Sequence, residues 1–313
     1  LIKINKGFFY FEQDYSKLMK LQNKLTGVGV AIVTPFRKDS SIDFLSLEKL
    51  IGHILDNGVD YLVVLGTTGE SATLNKEEKQ AVLNFVIEYT EKRVPVIAGF
   101  GGNNTNEVVN SIKNYDFSGI DGILSVTPYY NKPSQRGLYA HYQEIANVSP
   151  VPVILYNVPG RTASNMTAET VIQLASDFKN IIAVKEASGN FEQIMTIVKN
   201  KPSDFKVISG DDMITLPLIS VGVDGVISVV ANALPRQFSD LVHQALKGKF
   251  KEALLIQQQL LEIMNAIFID GNPAGIKAVL KILGITQDFL RLPLVQVSKP
   301  TLAKLTKLTE DLK

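Results

Sequence analysis

Eight short runs rich in valine and isoleucine recur along the chain. Each is followed by a stretch of helical periodicity. The runs are "VGVAIVTPF" (28–36), "YLVVLGTT" (61–68), "VPVIAGFGG" (94–102), "GILSVTPYY" (122–130), "VPVILYNVP" (151–159), "IIAVKEAS" (181–188), "FKVISGDD" (205–212) and "GVISVVAN" (225–232). Their apolar residues are consecutive rather than alternating, as in parallel strands covered on both faces. The segments between them carry helix punctuation. "NKEEKQAVLNFVIEYTEKR" opens with Asn75 and has Glu78 three residues on, a capping-box pattern. Val82, Phe85, Val86 and Tyr89 then form an apolar stripe. "TAETVIQLA" opens at Thr167 in a similar way, and Gly58 and Gly222 stand where helices should stop.

Eight strand–helix units predict an α/β fold, a (β/α)8 barrel. An open doubly wound sheet is the main rival. It is disfavoured because no G-x-G-x-x-G follows an early strand. Residues 249–313 contain no strand-like run and predict extra helices over roughly 250–270, 274–283 and 299–312. The expected organisation is an N-terminal arm (1–24), a catalytic barrel (25–248) and a C-terminal helical appendage (249–313).

Composition narrows the function. With 313 residues, 45% of them hydrophobic, the chain can bury a large core. A formal net charge of +1 gives no field for nucleic acid or an anionic membrane. No cysteine is present, which excludes disulfides, thiolate metal sites and thiol nucleophiles. His53, His141 and His243 are far apart on helix-like stretches and read as solvated helix residues, not as metal ligands or bases. No segment is apolar for long enough to span a bilayer. "LIKINKGFFYFEQDYSKL" has one short apolar patch, Phe8 to Phe11, followed by acids. It does not read as a signal peptide, and residues 1–18 are assigned no function.

In such barrels chemistry gathers at the C-terminal ends of the strands. Those ends carry Gly66, Thr67, Thr68, Gly69 and Glu70; Pro128, Tyr129, Tyr130 and Asn131; Tyr156, Asn157 and Arg161; Lys185; Gly210, Asp211 and Asp212; and Asn232. Lys185 interrupts an apolar strand. Desolvation there is expected to favour the neutral amine, a nucleophile that forms Schiff bases with ketones. The bland reading is a snorkelling lysine, or one paired with Glu186. The hydroxyls of Thr67, Tyr156 and Tyr130 at three strand ends can relay protons. Gly66 and Gly69 bracket a tight turn able to aim N–H groups at a carboxylate. Arg161 can clamp a second carboxylate.

Several of these segments are similar to known ones. "GTTGESATL" (66–74), "VTPYYNKPSQRGLYAHY" (126–142), "LYNVPGRT" (155–162), "IIAVKEASGN" (181–190) and "SGDD" (209–212) resemble the motifs of the dihydrodipicolinate synthase family, within the pyruvate-dependent class I aldolases. The resemblance covers roughly residues 25–297. It implies a lyase that condenses pyruvate with L-aspartate 4-semialdehyde, the first committed step toward diaminopimelate and lysine. No cofactor is implied beyond the covalent Schiff base with pyruvate, and neither metal, nucleic acid nor membrane is a partner. Under the resemblance Lys185 is the Schiff-base lysine and Tyr156 the general acid/base. Thr67 links Tyr156 to Tyr130, which serves the neighbouring subunit. Thr68 holds the pyruvate carboxylate, Arg161 that of the semialdehyde, and Gly210 and Ile227 line the substrate pocket. A cytoplasmic homotetramer, with a dimer as minimal active unit, is implied.

Some members are inhibited by lysine between subunits, and Ser71, Ala72, Asn103, Glu107 and Tyr129 match that pocket. Sensitive members tend to carry a histidine or glutamate at the position of Lys79, and some a histidine at that of Lys76, so with lysine at both, weak or absent inhibition is expected. The alternative is a related aldolase acting on longer substrates, such as N-acetylneuraminate lyase or a 2-keto-3-deoxy sugar-acid aldolase. Arg161 in "NVPGRT" and Tyr130 after Tyr129 favour the synthase. A non-catalytic barrel would lack the lysine or tyrosine. A phosphate-binding barrel would need a glycine-rich loop that "SGDDMI" and "VVANAL" do not provide.

Overall fold

The computed structural model of the chain describes residues 21–312. The N-terminal patch Phe8 to Phe11, and the reading of residues 1–18, lie outside the described residues. Eight parallel strands close into a barrel in sequence order. They are β1 (Gly27–Ala31), β2 (Tyr61–Val64), β3 (Val96–Gly99), β4 (Gly122–Val126), β5 (Val153–Asn157), β6 (Ile181–Glu186), β7 (Lys206–Ser209) and β8 (Gly225–Ser228). Each strand is shorter than its apolar run, because the end of each run leaves the ladder to build the barrel mouth.

The helices in chain order are α1 (Phe44–Leu55), α2 (Lys76–Thr90), α3 (Thr105–Lys113), α4 (Gln135–Val148), the single turn α5 (Pro159–Thr162), α6 (Ala168–Asp177), α7 (Phe191–Asn200), α8 (Thr215–Ser220) and α9 (Pro235–Leu246). Three more follow, α10 (Phe250–Ala266), α11 (Ala274–Ile282) and α12 (Lys299–Asp311), close to the expected spans. The capping box on α2 is formed in both directions between Asn75 and Glu78; such a cap contributes about 1 kcal/mol. Gly58 and Gly222 follow α1 and α8 with φ of 83° and 98°, the left-handed termination that glycine allows. Thr167 precedes α6, but its hydroxyl caps no backbone N–H. It faces Thr170 Oγ1 instead, at 3.4 Å.

The consecutive apolar residues divide between two environments. Tyr61, Val63, Ile97, Leu124, Ile154, Ile182, Ala183, Ile208 and Ile227 fill the barrel, with Leu21 and Leu25 joining them from the segment before β1. Their neighbours along the strands pack outward against the helices. α10 and α11 share the larger of these outer cores through Leu260, Ile263, Met264, Ile276 and Val279, so the C-terminal helices are welded to the barrel wall.

Candidate active site

Lys185 faces into the barrel because of an irregularity in β6. Val153 pairs with Ile181, but the next residue, Ile154, pairs with Ala183. Ile182 is the extra residue of a β-bulge, and a bulge re-aims every side chain after it. Ile182 and Ala183 are therefore both in the interior cluster, while Val184 packs outward. The same register sets Tyr156 beside Lys185. Lys185 is only 6% exposed, and its Nζ lies 4.3 Å from the centroid of the Tyr156 ring. Gly210, at the end of β7, makes room for it. A Cβ there would come 3.0 Å from Lys185 Cε and 2.6 Å from Ala187 Cβ. Ile227 of β8 is buried in the same interior cluster.

Glu186 does not pair with Lys185. Its side chain leaves on the outer face, where Asn157 Nδ2 donates to both its oxygens at 3.2 and 3.1 Å. Gln193 Nε2 and Ser188 N–H donate to it at 3.1 and 2.8 Å. Burial raises the Glu186 pKa, and these donors oppose the rise. The bland pairing is thus excluded by strand geometry, since adjacent residues point to opposite faces.

The turn after β2 supplies the second wall. Gly69 and Glu70 N–H groups close it onto the carbonyls of Gly66 and Thr67, at 3.1 Å each. The N–H groups of Thr67 and Thr68 have no acceptor among the described residues. Thr67 is exposed to the barrel mouth, whereas Thr68 is 3% exposed. Asn272 Nδ2 donates to Thr68 Oγ1 at 2.9 Å. Glu70 holds a left-handed φ of 53° with its carboxylate buried. That carboxylate accepts from Lys277 of α11 and, at 3.2 Å, from Arg291 N–H. Burial pushes the Lys277 amine down to about 8 although Glu70 opposes it.

Other expected residues stand at the rim. Arg161 lies on α5, exposed, and its guanidinium has no partner among the described residues. Tyr130 is 89% exposed with φ of 72°. No hydrogen bond joins it to Thr67, or Thr67 to Tyr156, among the described residues, so the three hydroxyls are not linked within one chain. Tyr129 is 44% exposed, and its carbonyl accepts from Asn103 Nδ2 at 3.1 Å. Ser71 and Ala72 form a short 3-10 turn next to Lys76 and Lys79 at the start of α2, and Glu107 sits in the first turn of α3.

The histidines differ from expectation. His141 is buried on α4, bonded through Nδ1 to Thr105 Oγ1 at 2.9 Å, and burial lowers its pKa to about 4. His243 pairs with Asp60 at 2.8 Å, and His53 Nε2 lies 3.1 Å from the Ala233 carbonyl oxygen. Helical spacing gives the face of a residue but not what packs on it, so these partners were not legible. No cluster of three His, Cys, Asp or Glu able to hold a metal occurs among the described residues.

Four contributors were missed in the sequence: Asn157 as a buried brace, Asn272, Lys277 and Arg291. One signal was available. Lys277 interrupts the apolar run of "AGIKAVLKI" much as Lys185 interrupts its strand.

A lysine buried against a tyrosine at the C-terminal end of a barrel strand can form a Schiff base with a small keto acid. Comparisons with known proteins identify the relatives of the chain. The chain is 51% identical over 293 residues to a 4-hydroxy-tetrahydrodipicolinate synthase of Phocaeicola vulgatus, covering 94% of this chain and 99% of that one. It is 51% identical over 288 residues to the protein of that name in Parabacteroides distasonis, covering 92% and 97%. Among solved structures, the dihydrodipicolinate synthase of Aquifex aeolicus superposes with a TM-score of 0.89 at 41% identity, covering 92% of this chain and 98% of that one. The model of the dihydrodipicolinate synthetase family matches residues 24–312. From a match of that extent, the chain belongs to the dihydrodipicolinate synthetase family.

Proposed function

We propose that the chain condenses pyruvate with L-aspartate 4-semialdehyde to 4-hydroxy-tetrahydrodipicolinate, the reaction for which its relatives are named, through a Schiff base on Lys185. The observation that carries this reading is the burial of Lys185 against Tyr156 at the inner end of β6. The Lys185 amine adds to C2 of pyruvate, and the carbinolamine loses water to give the imine. Loss of a C3 proton yields the enamine, with the imine nitrogen as electron sink. C3 then attacks the aldehyde carbon of the second substrate. The amino group of that substrate closes the ring at C2 and displaces Lys185, which regenerates the enzyme. One water is released overall.

Tyr156 is suited to exchange protons with the carbinolamine and imine, because its ring already lies against the amine. Thr67 is the relay to Tyr130. The N–H groups of the Thr67–Thr68 turn hold the pyruvate carboxylate, and Gly210 and Ile227 shape the pocket around its methyl end. Arg161 takes the carboxylate of the semialdehyde at the rim, where its guanidinium has no partner among the described residues. Tyr130 is too exposed to serve its own site, which fits a role in the site of a neighbouring subunit within a homotetramer. No cofactor is required by this route, and the enzyme acts in the cytoplasm.

The surface formed by Ser71, Ala72, Asn103, Glu107 and Tyr129 is a lysine pocket in this reading, and Lys76 and Lys79 oppose a cationic ligand there. Two unit charges 4 Å apart repel by about 4 kcal/mol at an effective dielectric of 20, less where solvent and salt screen them. Initial rates across a lysine titration should therefore show little inhibition below millimolar lysine.

The test of the function is reduction with borohydride in the presence of pyruvate, followed by peptide mass mapping. A reduced pyruvyl group should appear on the peptide containing Lys185. Its appearance on another lysine, or on none, would sink the mechanism.

A further inference from the structure

The turn after β2 is held from outside the barrel, by a segment more than two hundred residues away in sequence. Glu70 ends the Gly66–Glu70 turn, and its side chain is 0% exposed. Lys277 of α11, also 0% exposed, donates to Glu70 Oε1 and, at 2.9 Å, to the carbonyl of Phe289. Lys277 Nζ lies over the Phe36 ring at 4.3 Å from its centroid, and Arg291 Cζ over the same ring at 4.5 Å. Arg291 donates to Glu78 on α2 at 2.8 and 2.6 Å and to the Thr73 carbonyl at 2.9 Å. The same C-terminal segment sends Asn272 Nδ2 to Thr68 Oγ1. The turn is thus gripped on both sides of Gly69.

A buried ion pair is a poor source of stability, because the loss of hydration of two charges offsets most of their attraction. An apolar pair of similar volume would serve packing as well. What the ion pair supplies is direction. Its oriented bonds fix the backbone of a turn that contains two glycines and a left-handed non-glycine residue. Neither Glu70 nor Lys277 is exposed to the barrel mouth, so neither meets substrate.

We infer that Glu70 and Lys277 are positioning residues for the pyruvate site: their buried ion pair aims the N–H groups of Thr67 and Thr68 at the carboxylate of the keto acid. The inference rests on the function proposed above, and the test separates the two. The readout is the pyruvate concentration giving half-maximal borohydride trapping on Lys185. It reports keto-acid binding and does not change when part of the protein is merely unfolded.

Glu70→Gln should raise that concentration by about tenfold or more, with a smaller effect on the maximal extent of trapping. The single change leaves a buried cation uncompensated and can unfold the protein. The double variant Glu70→Gln/Lys277→Met removes both charges. It should fold with a melting temperature near the wild type and still show the weakened pyruvate trapping. Lys281→Met, on the same helix as Lys277, breaks an ion pair with Asp288 in the segment after it and should leave the half-saturating concentration within about twofold. If the wild type traps no pyruvate on Lys185, the proposed function fails. If the wild type traps it, and the folded double variant traps it at an unchanged half-saturating concentration, the positioning role is overturned.

Discussion

Lys185 and Gly210 work as a pair of opposite kinds, one side chain that must be present and one that must be missing. A methyl group at 210 would meet Ala187 Cβ at 2.6 Å, which no rotation relieves, and Lys185 Cε at 3.0 Å. Gly210→Ala should therefore displace the amine. Turnover should fall by about a hundredfold, the cost of misplacing a reacting group by roughly an ångström, while the protein stays folded. Steady-state kinetics with a melting curve would check this, and normal turnover would contradict it. A second residue-scale expectation concerns acid. Burial lowers the His141 pKa from 6.5 to about 4. The unfolded chain then takes up a proton that the folded chain refuses between those values. The stability that neutral His141 allows is complete above about pH 6.5 and is lost as pH falls toward 4. Asp212 acts in the opposite sense, because burial raises its carboxyl from 3.8 to about 6 and the folded chain holds that proton as pH falls. In His141→Gln the loss of stability between pH 7 and pH 5 should shrink by on the order of 1–2 kcal/mol. Urea unfolding of both proteins at the two pH values measures it, and equal losses would refute it.

At the scale of the element, the bulge in β6 puts Tyr156 and Lys185 on one inward level. A slip of one residue would turn both side chains to the other face, so the register needs a pin. The outward neighbours supply it. Asn157 donates to Glu186 and to Asn165 Oδ1, and its own Oδ1 accepts from Met166 N–H at 2.9 Å. Asn157→Leu would leave Met166 N–H without its acceptor and Glu186 with fewer donors. Each orphaned buried group costs about 1–3 kcal/mol, so stability should fall by roughly 2–4 kcal/mol in urea unfolding. Turnover should fall as well, since the inward pair would lose its register. A stable variant with full activity would show that the strands need no such pin. The eight strands, most helices and the α2 capping box were legible from local pattern. The bulge was not, because an extra apolar residue inside an apolar run changes nothing in the sequence pattern.

At the scale of the whole molecule, Tyr130 projects from the chain with 89% exposure. If it serves a partner's site, two inactive variants should complement each other. Lys185→Ala lacks the proposed nucleophile but keeps Tyr130, and Tyr130→Phe lacks the proposed relay hydroxyl but keeps Lys185. Dissociating and reassociating an equal mixture should recover roughly a quarter of the wild-type sites, since half the random pairs are mixed and one site in each is complete. No recovery above the separate variants would place Tyr130 outside the neighbouring site.

The barrel, its strand order and the side chains at the strand ends were determined by the sequence itself, because periodicity, capping and breaking residues act over a few neighbours. The tertiary structure alone decided which way Lys185 points, what partners the histidines find and what holds the Thr67–Thr68 turn. Each of these depends on contacts between residues far apart in the chain, such as Glu70 with Lys277 and Asn272 with Thr68. A local pattern can say that a polar residue lies on an apolar face. Only closure of the barrel brings to it the group that satisfies its hydrogen bonds.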